Sequence, residues 1–174
     1  PGGVHQTAWV KDAVFLRILT KKYKMEGPVD AEIRERGIKI TKSKSKEVFD
    51  AKLKEIVAIS YHTLDAYGFH AMEIVQCLAE RRLGGETGIK RVQTIVGDDV
   101  WKSDLYDRKL FEQALDRHLN QKRLRRKPLS ELVKEPVLFV MEYNDGLRAS
   151  VLTLNGAAGE WSAAWELEDG TQDS

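Results

Sequence analysis

The sequence predicts an α+β fold, with a mostly antiparallel sheet, helices packed on one face and a basic, partly helical N-terminal arm. Three observations predict it. The last 40 residues alternate apolar and polar positions between turn signals, the middle of the chain carries helix-period stripes, and 174 residues with 42% hydrophobic and 32% charged content suit one core with an arm.

In chain order, VKDAVFLRILTKKY (10–23) sets Val10, Val14, Leu16, Ile18 and Leu19 toward one helical face, and the helix should end before Gly27-Pro28. PVDAEIRERG reads as a helical turn stopped by Gly37, and the Ser/Lys alternation after it as an exposed connection, which sets a boundary between a segment 1–50 and a sheet domain 51–174. From Leu53, IVAISY is a β-branched run suited to a buried strand. In FHAMEIVQCLAERR, Met72, Val75 and Ala79 share a helical face, Arg81 and Arg82 favour the negative end of the dipole, and LGG supplies the stop. Ile89, Val92 and Ile95 are the apolar anchors of a further strand. A long helix from Asp104 to about Arg125 is expected next, with Leu110, Phe111, Ala114, Leu115, His118 and Leu119 as its buried stripe and His118 as a core residue. Ser130 can cap a short turn that Pro136 ends. VLFVMEY, the Asn144-Asp145-Gly146 turn, LRASVLTLN and WSAAWELED then form an antiparallel meander.

Charge is uneven behind a net +1. Residues 1–60 hold 13 Lys or Arg against 8 acids, while 137–174 hold Arg148 alone against seven acids. The basic runs 39–47 and 121–127 lack interleaved aromatics, so they read as solvated surface rather than nucleic-acid contacts. Mean hydropathy is -0.42 and no apolar run approaches the roughly 18–20 residues of a bilayer span. A single cysteine, Cys77, excludes an internal disulfide and makes a reducing, cytoplasmic setting the expectation; mid-helix, it reads as a small buried hydrophobe.

The candidate chemistry is concentrated in LDAYGFHAMEIV, where Asp65, His70 and Glu73 lie close together. Placed at a helix start, His70 would feel unpaired N–H groups and the positive dipole end, which favour a neutral imidazole able to give or take a proton. His70 and Glu73, three residues apart, can share a helix face and ligate a metal, but no second such pair accompanies them. The bland alternatives are a structural histidine, an aspartate that turns the chain and a glutamate that bonds back to the helix start. Trp161 and Trp165 should share one strand face, more as sheet-packing aromatics than as a sugar-stacking platform.

A strand, then YGFHAMEIV, a further strand after a glycine-rich turn, and YNDGLRASVLTLNG resembles the C-terminal sheet domain of the glucose-fructose oxidoreductase and inositol dehydrogenase family over residues 51–168. Gly68, His70 and Glu73 match that family's Gly-x-His-x-x-Asp/Glu segment, and Asp145, Gly146 and Arg148 its DG-R hairpin. The resemblance implies a histidine facing a sugar or polyol beside a nicotinamide. The chain departs from the pattern in having Ala66 where the family has an aspartate, with Asp65 displaced by one, and in lacking the Glu-Lys-Pro motif and a G-x-G-x-x-G turn. The expectation is therefore a ligand-facing and oligomerisation domain with no cofactor of its own, NAD or NADP belonging to a dinucleotide-binding half that these residues do not build. Homo-oligomers should form through the sheet face opposite the helices. Two other readings stay open: an independent acid/base or metal enzyme using Asp65, His70 and Glu73, with His62 nearby, and a basic nucleic-acid or protein interaction module.

Overall fold

In the computed structural model, residues 51–118 and 120–174 are described; the expected helix at 10–23, the turn after it, the basic run 39–47 and Leu119 lie outside them. The fold is α+β. Strands β1 (Leu53–Ser60), β2 (Ile89–Val96), β3 (Val137–Tyr143), β4 (Arg148–Thr153), β5 (Ser162–Leu167) and β6 (Gln172–Asp173) form one sheet in the order β2-β3-β4-β1-β5-β6. Every pairing is antiparallel except β1 with β4.

That exception corrects the expected meander. β1 enters between β4 and β5, with Val57 opposite Ser150 on one side and Ala164 on the other. Its apolar run suits this central place, because seven of its eight residues are buried, with Lys54 alone exposed. Alternate residues of β1 then serve two cores. Ile56 and Ala58 join Val75, Ala79, Ala149 and Val151 under helix α1 (Phe69–Ala79), whereas Val57 and Ile59 join Leu110, Ala114, Leu138 and Leu152 under helix α2 (Arg108–Asp116). Helices therefore cover both faces at the centre of the sheet, not one. The face expected to be open for oligomerisation is closed there: β4 is buried from Ala149 to Thr153, and Trp161 and Trp165 pack on the same core as α1.

The long helix expected from Asp104 is shorter and interrupted. Asp107 caps it by accepting the Leu110 N–H at 2.8 Å, so it starts later. It stops at Asp116, where His118 turns inward, 1% exposed, to a 2.8 Å hydrogen bond with Ser162, and Asn120 donates to the Ala157 carbonyl at 3.0 Å. The buried stripe Leu110, Phe111, Ala114 and Leu115 is as read. Short turns α3 (Gln121–Leu124) and α4 (Leu129–Leu132) follow; Pro128, not Ser130, precedes the second. β2 departs most from expectation. Its Ile89 and Val92 are exposed because it is an edge strand that the helices do not reach. Among the described residues no helix is long and apolar enough to cross a membrane.

Candidate functional site at the end of strand β1

The chain leaves β1 through Tyr61-His62-Thr63. His62 takes a left-handed backbone, φ 63°, which turns the chain sharply out of the sheet; histidine tolerates this region better than most side chains. Ser60 fastens the turn, its hydroxyl donating to the Tyr67 carbonyl at 3.2 Å. Leu64–Gly68 then form one π-helical turn that runs directly into α1, with helical backbone at the Gly68–Phe69 junction. This corrects the premise about His70. The helical stretch begins at Leu64, so the free N–H groups of the helix start lie a turn and a half before the histidine. Gly68 has an ordinary helical φ of -61°, and a Cβ there would meet only the tip of the exposed Leu64 side chain, so the motif glycine answers no backbone requirement.

His70 projects from the first turn of α1 with its side chain 52% exposed, and its Nδ1 lies 3.0 Å from Glu73 Oε2. An ionised carboxylate only accepts, so Nδ1–H donates to it and Nε2 is left with no hydrogen bond among the described residues. Around the ring stands a group of aromatics. Trp161 meets His70 edge to face at 5.7 Å, Phe69 meets it at 5.9 Å, and Tyr67 tilts against it at 6.3 Å. Tyr61 stacks on Tyr67 at 4.7 Å and meets Trp161 at 4.8 Å. Burial first, then the neighbouring Tyr67 phenol, pushes the Tyr61 phenol above its ordinary pKa. The Trp161 indole N–H is enclosed with no acceptor among the described residues.

Of the three site candidates, His70 and Glu73 come together and Asp65 does not. Asp65 is exposed on the π-turn and makes no hydrogen bond or ion pair with described residues. His62 bonds only its neighbour Thr63, at 3.3 Å. No group of three or more His, Cys, Asp or Glu able to hold a metal occurs among the described residues. The aromatic ring around His70 escaped the sequence reading because its members come from three places, 61–62, 67–70 and 161; the even spacing of Trp161 and Trp165 was its one visible sign.

The opposite end of the sheet is structural. Arg82, its side chain 1% exposed, donates to Asp145 Oδ2 at 2.7 Å, to Thr87 Oγ1 at 2.7 Å and to the Ala79 carbonyl, and lies 4.9 Å from the Tyr143 ring centre. It thus ties the end of α1, the Gly84-Gly85 loop and the β3–β4 hairpin together. Arg148 makes a forked pair with the buried Glu55, at 2.6 and 3.1 Å, and Glu55 Oε1 also accepts the Asp107 N–H at 2.9 Å. The DG-R residues therefore hold the scaffold. A concavity of about 340 Å3 lies here between Lys54, Glu55, Lys90, Glu142 and Arg148, but Lys54, Glu55, Glu142 and Arg148 are already bound to Glu166, Arg148, Arg91 and Glu55, so it presents little free charge. The basic run 121–127 is likewise partly satisfied, with Arg125 on Glu112 and Asp116 and Lys127 on Glu131.

No family model, curated protein or solved structure matches the chain.

Proposed function

We propose that residues 51–174 form the ligand-facing domain of an oxidoreductase-like protein acting on a sugar or polyol, with His70 contacting a hydroxyl of that ligand. The observation that carries this reading is the half-exposed His70 ring, oriented by Glu73 at 3.0 Å and bordered by Trp161 and Tyr67. Hydroxylated rings need both elements: apolar aromatic surface against the C–H faces and a directional hydrogen-bonding group for the hydroxyls. With Nδ1–H held by Glu73, Nε2 accepts a hydroxyl proton or, once protonated, returns it. Asp65 has no part in this pair.

The residues do not fit a nicotinamide dinucleotide. A phosphate needs closely approaching amides, and the strand-to-helix turn here reads Ser60-Tyr61-His62-Thr63, without a glycine and with His62 already in the left-handed position. In this reading these residues supply the ligand contact and the proton-handling group, and any hydride acceptor comes from outside them.

The test is calorimetry or ligand-observed NMR with myo-inositol, D-glucose and NAD. Binding of a hydroxylated ring, weakened about tenfold or more by His70→Ala, is expected, with no binding of NAD. Absence of binding to either hydroxylated probe at about 10 mM, or binding indifferent to His70→Ala, overturns the reading.

A further inference from the structure

Among the described residues no strand pairs with the outer edge of β2, and three of the large hydrophobics that stay exposed lie on it: Ile89 at 45%, Val92 at 58% and Val96 at 67%. The other edge is guarded. β6 has two residues, and Arg117, just past the end of α2, closes over it by bonding Ser174 and approaching Asp173 at 3.8 Å. On β2 the usual guards, a lysine and a bulge, sit only at the start, around Lys90, and no proline interrupts the strand.

The outward-facing atoms follow from the pairing. The Gly97 N–H donates to the Pro136 carbonyl, and β2 pairs with β3 in the register Ile95 with Leu138 and Gln93 with Val140. Odd-numbered residues therefore spend their backbone groups on β3, and Val92, Thr94 and Val96 direct theirs out of the sheet. Their side chains share one face, the face of Phe139 and Met141, and all three are exposed.

We propose that β2 pairs antiparallel with β2 of a second copy of this chain, about a two-fold axis at Thr94, joining two sheets into one. Among registers that use the outward groups, only the one centred on Thr94 satisfies every N–H and C=O of Val92, Thr94 and Val96. It sets Val92 beside Val96 of the other copy on a shared face, so the exposed apolar surface covers itself. It also brings the basic start of each strand, at Lys90, toward the turn by which the other copy's chain leaves its strand at Asp98, both exposed. The strand carries Lys90 and Arg91 at its start and is followed by Asp98 and Asp99, so an antiparallel pair is electrostatically self-complementary and a parallel pair is not. A two-fold isologous contact of this kind closes at the dimer.

Sedimentation equilibrium of the full chain, 19.8 kDa, reads the result. The wild type should reach twice that mass at micromolar concentrations. Thr94→Pro removes the two symmetric hydrogen bonds at the axis while leaving the β3 ladder intact, and should weaken the dimer about tenfold or more with an unchanged far-UV spectrum. Should Thr94→Pro fail to fold, Val96→Lys, at a position 67% exposed, removes the apolar pairing and should weaken the dimer without loss of fold. In a Cys77→Ser background, Thr94→Cys should form an intermolecular disulfide under mild oxidation. A dimer of unchanged strength in these variants places the contact elsewhere and overturns the proposal. So does a wild type monomeric at high micromolar concentration, or a monomer whose Thr94 and Val96 amides resist exchange because the chain itself covers the edge.

Discussion

Replacing Arg82 by alanine should destabilise the fold more than any change at the candidate site. The guanidinium is enclosed, its side chain 1% exposed, and one substitution removes an ion pair to Asp145, a hydrogen bond to Thr87, another to the Ala79 carbonyl and its place beside the Tyr143 ring. Removing one partner of a buried pair costs about 3–5 kcal/mol, mostly from the charge left behind. Here the group left behind is Asp145, whose side chain is 32% exposed and regains water, so the lower end applies, about 3 kcal/mol. For a protein of this length that lowers the Tm by roughly 6–12 °C. Arg82→Lys should fall between, keeping the charge but not the fork. The pH dependence supplies a second readout. The Arg82 hydrogen bond, followed among the lowering influences by the Leu147 N–H, holds the Asp145 carboxyl below its ordinary range against a smaller effect of burial. A depressed folded value stabilises the protein at pH above the usual carboxylate titration, and that stabilisation is lost as pH falls through the lowered value. In Arg82→Ala this acid limb should flatten. Thermal and urea melts between pH 7 and pH 2 test both points. A variant melting within about 2 °C of the wild type, with the same acid limb, would refute the assignment of Arg82 as the tie between helix, loop and hairpin.

His70→Ala should leave the melting temperature within about 2 °C of the wild type, because the ring is half exposed, while abolishing ligand heat in calorimetry; a large loss of stability with unchanged binding would make the ring architectural. Glu73→Gln should keep the fold and weaken ligand binding less than His70→Ala, since the amide oxygen can still accept the Nδ1–H and hold the ring; Asp65→Asn should change neither fold nor binding. Tyr143, 1% exposed, has its phenol pushed up to about 12 by burial, so the unfolded chain ionises first and stability present below pH 10 should drain as pH rises toward 12; Tyr143→Phe should shrink that limb in alkaline melts followed by tyrosinate absorbance, leaving the part that the raised Tyr61 and Tyr106 phenols contribute. Gly88→Ala, at φ 78° with a Cβ only 3.0 Å from Asn144 Nδ2, should cost about 1–2 kcal/mol in urea unfolding.

What the sequence disclosed and what it hid divide along the range of the interactions. The strand from Leu53, the helix through Val75 and Ala79 and the tail strands were legible because each is written in a local period. The two-sided core was not. Period-two alternation is what one buried face would show, yet Ile56 and Val57 are both fully buried because β1 slots between β4 and β5, and that placement depends on partners more than 90 residues away. The helix ended early at Asp116 for a similar reason, since the pull on His118 comes from Ser162. All three apolar anchors of β2 looked buried by composition, yet Ile95 alone packs on the core, and the strand order shows that Ile89 and Val92 sit on an edge with no neighbouring strand among the described residues.

The same distinction sorts the motifs. Arg82 looked like a surface charge that complements a helix dipole, and it does bond the Ala79 carbonyl, but its burial arises from Asp145 and Tyr143 on a distant hairpin. Glu55 gave no signal at all within a strand, although it fixes both Arg148 and the start of α2. The DG-R hairpin is thus accounted for by packing at the base of the sheet, with every charge engaged. His70 and Glu73 differ in kind: both are half exposed, they engage mainly each other, and the aromatics beside them come from the turn after β1 and the approach to β5. A pair that stabilises little and faces solvent among aromatics has no structural duty to explain it, whereas Arg82 and Arg148 have theirs in full. That contrast, more than the motif spelling, is why the ligand contact is proposed at the end of β1 and why substitutions at the two ends should separate binding from stability.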